Sequence, residues 1–67
     1  MPSITVNAEP QSFPDPLTVE ELLRALGKDP RKLAVEVNRS VVPRTEHKYC
    51  LLGDGDQVEI VTLVGGG

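Results

Sequence analysis

The sequence predicts an α+β fold, a small mixed sheet wrapped around one helix, and three observations predict it. Apolar residues recur at every second position at Ile4 and Val6 and at Leu33, Val35 and Val37, and Val58, Ile60, Thr62 and Val64 alternate with Glu59, Val61 and Leu63, the period of half-buried strands. One segment, Val19, Leu22, Leu23 and Leu26, switches to the i, i+3, i+4, i+7 spacing of a helix. A single helix covers one sheet face only, so the order hairpin, helix, strand, short strand, long final strand is incompatible with a doubly wound sheet.

Ser3-Ile4-Thr5-Val6 reads as the first strand, and Asn7-Ala8-Glu9-Pro10 supplies turn chemistry. Gln11-Ser12-Phe13 follows as a second strand, which Pro14 and Pro16 confine to a sheet edge, in a hairpin with the first. The helix has the strongest signals. Thr18 and Glu21 form a capping box, Leu17 and Leu22 occupy the two positions of a hydrophobic staple, and Gly27 with Pro30 stops the helix. Leu33 to Val37 is the third strand, and Asn38-Arg39-Ser40 turns the chain into Val41-Val42, which Pro43 ends. A short strand around Lys48 to Leu51 leads to the turn Gly53-Asp54-Gly55-Asp56, whose glycines are free to adopt positive φ. The last strand is apolar on both faces from Ile60 onward, as in a central strand. Leu22, Leu23, Leu26, Val35, Val37, Val58 and Ile60 are the expected core, and Glu59, Val61 and Leu63 are expected on the uncovered face, where clustered apolar residues mark a docking surface.

With 67 residues the chain has room for one domain, read as residues 1–64, followed by a glycine tail at 65–67. A net charge of -3 repels the phosphate backbone that nucleic-acid binders must neutralise, so DNA and RNA are poor partners. No stretch approaches the roughly 18 apolar residues of a membrane span, and the N-terminus lacks a basic segment followed by an apolar run. One cysteine, Cys50, forms no internal disulfide, and with the one histidine, His47, falls short of a metal-ligand set, so a reducing cytoplasm is the expected home. Cys50 precedes Leu51-Leu52 and reads as a small core hydrophobe rather than a nucleophile. His47, between Glu46 and Lys48, reads as solvated; Asp54 and Asp56 read as turn residues, because too few oxygen ligands follow them for calcium.

Leu63-Val64-Gly65-Gly66-Gly67 runs from a strand straight into residues without side chains. Glycines in such a place serve either as spacers or as bare backbone that threads a narrow channel, where no Cβ obstructs it. No tag follows Gly67, so its carboxylate reads as the natural terminus.

Four segments in this order, Thr18-Val19-Glu20-Glu21-Leu22-Leu23, Val35-Glu36-Val37-Asn38 continuing to Val41-Val42-Pro43-Arg44, Asp54-Gly55-Asp56-Gln57-Val58, and the terminal Gly66-Gly67, resemble the ThiS family of thiamine-pathway sulfur carriers. The resemblance covers nearly the whole chain. It implies a β-grasp, ubiquitin-like fold and a non-catalytic role with no bound cofactor. A partner adenylyltransferase using MgATP is implied to activate the carboxylate of Gly67. A sulfur donor such as a cysteine desulfurase would convert it to a thiocarboxylate, and thiazole synthase would receive the sulfur. Gly65 and Gly66 would deliver the tail, with Gly65 a departure from many relatives; Val61, Leu63 and Arg44 are the expected partner-binding residues. Two alternatives stay open. One is a carrier like the molybdopterin-synthase small subunit, which shares the glycine pair, and the other is a ubiquitin-like binding module without sulfur transfer.

Overall fold

The computed structural model describes residues 2–63. β1 (Ser3–Val6) pairs antiparallel with β2 (Glu9–Ser12) through a two-residue turn in which Asn7 and Ala8 have φ of 50° and 68°. This is the geometry of a type I′ hairpin turn, whose twist matches that of the strands it joins. Pro10 lies inside β2, opposite Thr5, so the second strand begins two residues before the expected Gln11 and ends at Ser12 rather than Phe13. An outer strand tolerates the missing N–H. Ala8 pays for the left-handed conformation that glycine would adopt freely. Ala8→Gly is therefore expected to stabilise the fold by about 0.5–1 kcal/mol, the relieved strain less glycine's larger unfolded-state entropy. Thermal unfolding checks this, through a Tm higher by about 4–8 °C per kcal/mol in a domain of this size.

β3 (Leu17–Thr18) leads directly into α1 (Val19–Ala25). The capping box forms as predicted: Thr18 N–H donates to Glu21 Oε1 at 2.8 Å, and Glu21 N–H donates to Thr18 Oγ1 at 3.1 Å. The other two free donors of the first turn reach a distant loop, Val19 N–H to the Cys50 carbonyl and Glu20 N–H to the His47 carbonyl. At the far end Gly27, with φ of 69°, closes a Schellman motif in which Lys28 N–H donates to the Leu23 carbonyl and Gly27 N–H to that of Arg24. A seven-residue helix is too short to persist alone, so its packing stabilises it.

β4 (Leu33–Val37) turns at Asn38-Arg39, φ of 51° and 70°, into β5 (Ser40–Val42). Pro43 then starts a 3-10 turn over Arg44–Glu46, with Glu46 N–H donating to the Pro43 carbonyl. Further turns carry Tyr49 and Cys50 back onto the Glu46 carbonyl, so the strand expected from Lys48 shrinks to β6 (Leu51–Leu52), which pairs with β3. In the Gly53–Asp56 turn only Gly55 uses positive φ. β7 (Gln57–Thr62) is central, parallel to β1 and antiparallel to β4, in a sheet of order β2-β1-β7-β4-β5.

The core lies between this sheet and α1. It buries Ile4, Val6, Leu17, Val19, Leu22, Leu23, Leu33, Val35, Leu52, Val58 and Ile60. Five of the seven expected core residues are among them. Leu26 and Val37 are only half-buried, because Leu26 is the helix C-cap and Val37 ends β4 beside the turn.

Candidate functional site

β7 alternates across the sheet, so the residues between buried Val58 and Ile60 and beyond them face away from α1. The register sets Ala34 beside Val61 and Glu36 beside Glu59, with Val41 on the other side of Glu36. Val41, Val61 and Leu63 are exposed at 67%, 51% and 55%. The open face therefore carries the apolar patch expected of it, with Ala34 between its larger members.

β7 is clamped on both sides by the asparagines that open the two hairpin turns. Where β1 ends, Asn7 Oδ1 accepts from Ile60 N–H at 2.7 Å, and Asn7 Nδ2 donates to the Ile60 carbonyl at 3.3 Å. Where β4 ends, Asn38 Oδ1 accepts from Gln57 N–H at 3.0 Å, and Asn38 Nδ2 donates to Asp56 Oδ1. Sequence reasoning took both asparagines only as turn residues. Leu63 N–H donates to the Lys32 carbonyl at 2.8 Å, which fixes the chain at the last described residue. Gly65, Gly66 and Gly67, with Val64, lie outside the described residues.

Arg44 does not join Val61 and Leu63. It lines a cleft of about 260 Å³ on the helix side, with Glu20, Arg24, Lys28 and His47. His47 corrects the expectation of a solvated ring: it is 4% exposed, and its Nε2–H donates to the Val42 carbonyl at 3.1 Å. The histidine joins β5 to the helix start, since its carbonyl caps Glu20. The charged neighbours Glu46 and Lys48 concealed this, because in the turn only His47 points inward. Cys50 is partly buried against the core, and burial, followed by the negative charges of Asp56 and Glu46, pushes its thiol pKa up. That is the reverse of what a nucleophilic thiolate needs. Asp54 and Asp56 serve the turn. Asp54 Oδ1 accepts from Ser3 N–H at 2.7 Å and Asp56 Oδ2 from Gly53 N–H at 2.8 Å. Asp29 is engaged by the Arg31 guanidinium, whose hydrogen bonds hold its carboxyl at about 2. Among the described residues no three His, Cys, Asp or Glu side chains converge as a metal site, and no helix is long and apolar enough to cross a membrane.

Comparison with known proteins matches this architecture. The crystal structure of a thiamine biosynthesis protein, ThiS, from Geobacter metallireducens superposes with a TM-score of 0.85 at 35% identity, covering 97% of this chain and 99% of that one. The sulfur carrier protein ThiS of Escherichia coli is 34% identical over 50 residues, 75% of this chain and 76% of its own. A thiazole synthase of Paramagnetospirillum magneticum is 44% identical over 64 residues, which are 96% of this chain; the chain spans only 20% of that protein's length. The family model described as ThiS matches residues 4–67, and with it the β-grasp sheet, the single helix and the glycine tail; the chain belongs to the ThiS family, the sulfur carriers of thiamine biosynthesis.

Proposed function

We propose that the chain carries sulfur on the α-carboxylate of Gly67 and delivers it to a thiazole synthase. The observation that carries this reading is the family match running through Gly67, a few residues beyond β7, which Asn7 fastens at Ile60 and after which Leu63 N–H is held by the Lys32 carbonyl. A tail without side chains on a fixed base suits insertion into another protein's active site. A carboxylate is a poor electrophile until its oxygen becomes part of a leaving group. In a partner adenylyltransferase, a Gly67 oxygen attacks the α-phosphorus of ATP and pyrophosphate leaves, giving an acyl adenylate. A persulfide from a donor such as a cysteine desulfurase then attacks the carbonyl carbon and AMP leaves, giving an acyl disulfide; a thiol attacks the donor-side sulfur of that disulfide, releasing the thiocarboxylate and forming a new disulfide with the donor. MgATP belongs to the partner. The thiazole synthase of P. magneticum that contains a segment 44% identical to this chain favours thiazole synthase as the acceptor over the molybdopterin pathway.

Docking uses the open face, where Val61 and Leu63 are apolar anchors. A bacterial strain lacking its own ThiS-family carrier is expected to grow without thiamine when supplied with this chain. The Val61→Asp, Leu63→Asp double variant is expected to fail, while keeping a native circular dichroism spectrum and losing at least about tenfold in partner affinity. Growth supported equally by both proteins would contradict docking through this face. Rescue of a molybdenum-cofactor defect in place of the thiamine defect would contradict the pathway.

A further inference from the structure

Of the seven lysines and arginines in a chain of net charge -3, three line the cleft on the helix side: Arg24, Lys28 and Arg44. Arg24 and Lys28 lie where the negative end of the α1 dipole favours cations, but Arg44 arrives from the 3-10 turn after β5 and has no such reason to join them. The one carboxylate lining the cleft, Glu20, meets Arg24 at 3.9 Å with both side chains largely exposed, a weak pair. Lys28 and Arg44 take part in no ion pair among the described residues. Buried His47 lines the cleft as well, and with Nε2–H given to the Val42 carbonyl its Nδ1 has no donor among the described residues. Three cations beside a bare acceptor complement a carboxylate that stands next to a peptide N–H, the chemistry of a chain terminus.

We infer that this cleft binds the terminal carboxylate of Gly67 in the same chain. The topology brings the two to one end of the molecule. Thr62 near the end of β7 lies opposite Leu33 at the start of β4, and Val42 at the end of β5 lies opposite Val35, so the tail and Arg44 leave the sheet at the same end. Leu63 N–H donates to the carbonyl of Lys32, which is two residues from Pro30 in the cleft wall. Two residues span at most about 7 Å, whereas the four residues after Leu63 reach about 13–14 Å when extended, so the terminus reaches the cleft. Tethering gives this carboxylate an effective concentration in the millimolar range, which favours it over acidic groups that must arrive from solution. A partner that takes up the tail has to displace it from the cleft, so its apparent affinity is reduced to the undocked fraction. The inference rests on the reading of Gly67 as the functional terminus and adds where its carboxylate lies before a partner receives it.

The test compares the isotope-labelled native chain with the same full-length chain carrying a C-terminal carboxamide, which removes the charge and keeps every residue. In amide NMR spectra at low salt, shifts at Arg24, Lys28, Arg44 and His47 are expected to differ between the two, and the order parameters of Gly66 and Gly67 are expected to fall below about 0.6 on amidation. The Lys28→Gln, Arg44→Gln double variant, or salt near 1 M, where the Debye length is about 3 Å, is expected to give the native terminus the values of the carboxamide. A hexaglutamate peptide is expected to shift the cleft amides more strongly in the carboxamide, where no tail competes. Shift differences confined to residues 64–67, or tail order parameters indifferent to the terminal charge, would overturn the inference. An equal response of both forms to hexaglutamate would overturn it too, by assigning the cleft to an acidic segment of a partner. Sulfur loading that fails while the cleft shifts persist would remove the carrier reading and leave the tail as the cleft's occupant.

Discussion

Replacing Gly66 with valine, or appending one residue after Gly67, is expected to reduce sulfur loading by about a hundredfold or more, to the limit of detection. In the proposed mechanism the Gly67 carboxylate meets the α-phosphorus of ATP, and the extension replaces it with one displaced along the chain; misplacement of a reacting group by about 1 Å already reduces rates by about 10²-fold. The valine side chain widens a segment that, on the proposed reading, enters the partner as bare backbone, and β-branching narrows its φ/ψ choice. Both variants leave residues 2–63 untouched, so their thermal unfolding should coincide with that of the native chain. Assay by mass spectrometry after incubation with MgATP, an adenylyltransferase and a sulfur donor distinguishes lost loading from lost folding.

Leu22→Ala is expected to be the most damaging single change to the fold. Leu22 is fully buried between α1 and the sheet, and it is also the helix-side half of the staple with buried Leu17. The lost transfer energy and the cavity left behind come to about 2–5 kcal/mol. A domain of this length has about 3–10 kcal/mol in total. Urea unfolding should show a midpoint shifted far toward zero, and Ile60→Ala, on the sheet side of the same core, should follow it closely. Leu26→Ala, at the half-buried helix C-cap, should cost clearly less, which provides an internal control.

How much of this was legible in the sequence depended on how local the determinants were. The helix was read correctly at both ends because Thr18, Glu21 and Gly27 act within one turn of themselves. The hairpin turn at Asn38 was visible for the same reason, and the open face followed from alternation in β7 together with a single helix to cover the sheet. What was missed depends on contacts between residues far apart in the chain. The burial of His47 arises from the Val42 carbonyl and from Glu20 N–H, which a reading of its charged neighbours does not reach. The two-residue strands Leu17–Thr18 and Leu51–Leu52 exist only because they pair with each other, and no period is detectable over two residues. The side of the molecule on which Arg44 lies was set by the 3-10 turn after Pro43, so its separation from Val61 and Leu63 could not be read from spacing. The clamp of Asn7 on Ile60 belongs to the same class, a local turn residue with a second, distant use.

The central claim is that the chain's chemistry resides on its terminal carboxylate and on no side chain. Cys50, with its thiol pKa raised by burial and by Asp56 and Glu46, is the one alternative sulfur acceptor in the sequence. Intact-mass spectrometry of the native chain after incubation with MgATP, an adenylyltransferase and a sulfur donor, followed by fragmentation, discriminates between the two sites. The account predicts a mass increase equal to one oxygen exchanged for sulfur, confined to the peptide that ends at Gly67 and unchanged in Cys50→Ser. Added sulfur on the peptide containing Cys50, or loading that disappears in Cys50→Ser, would contradict it.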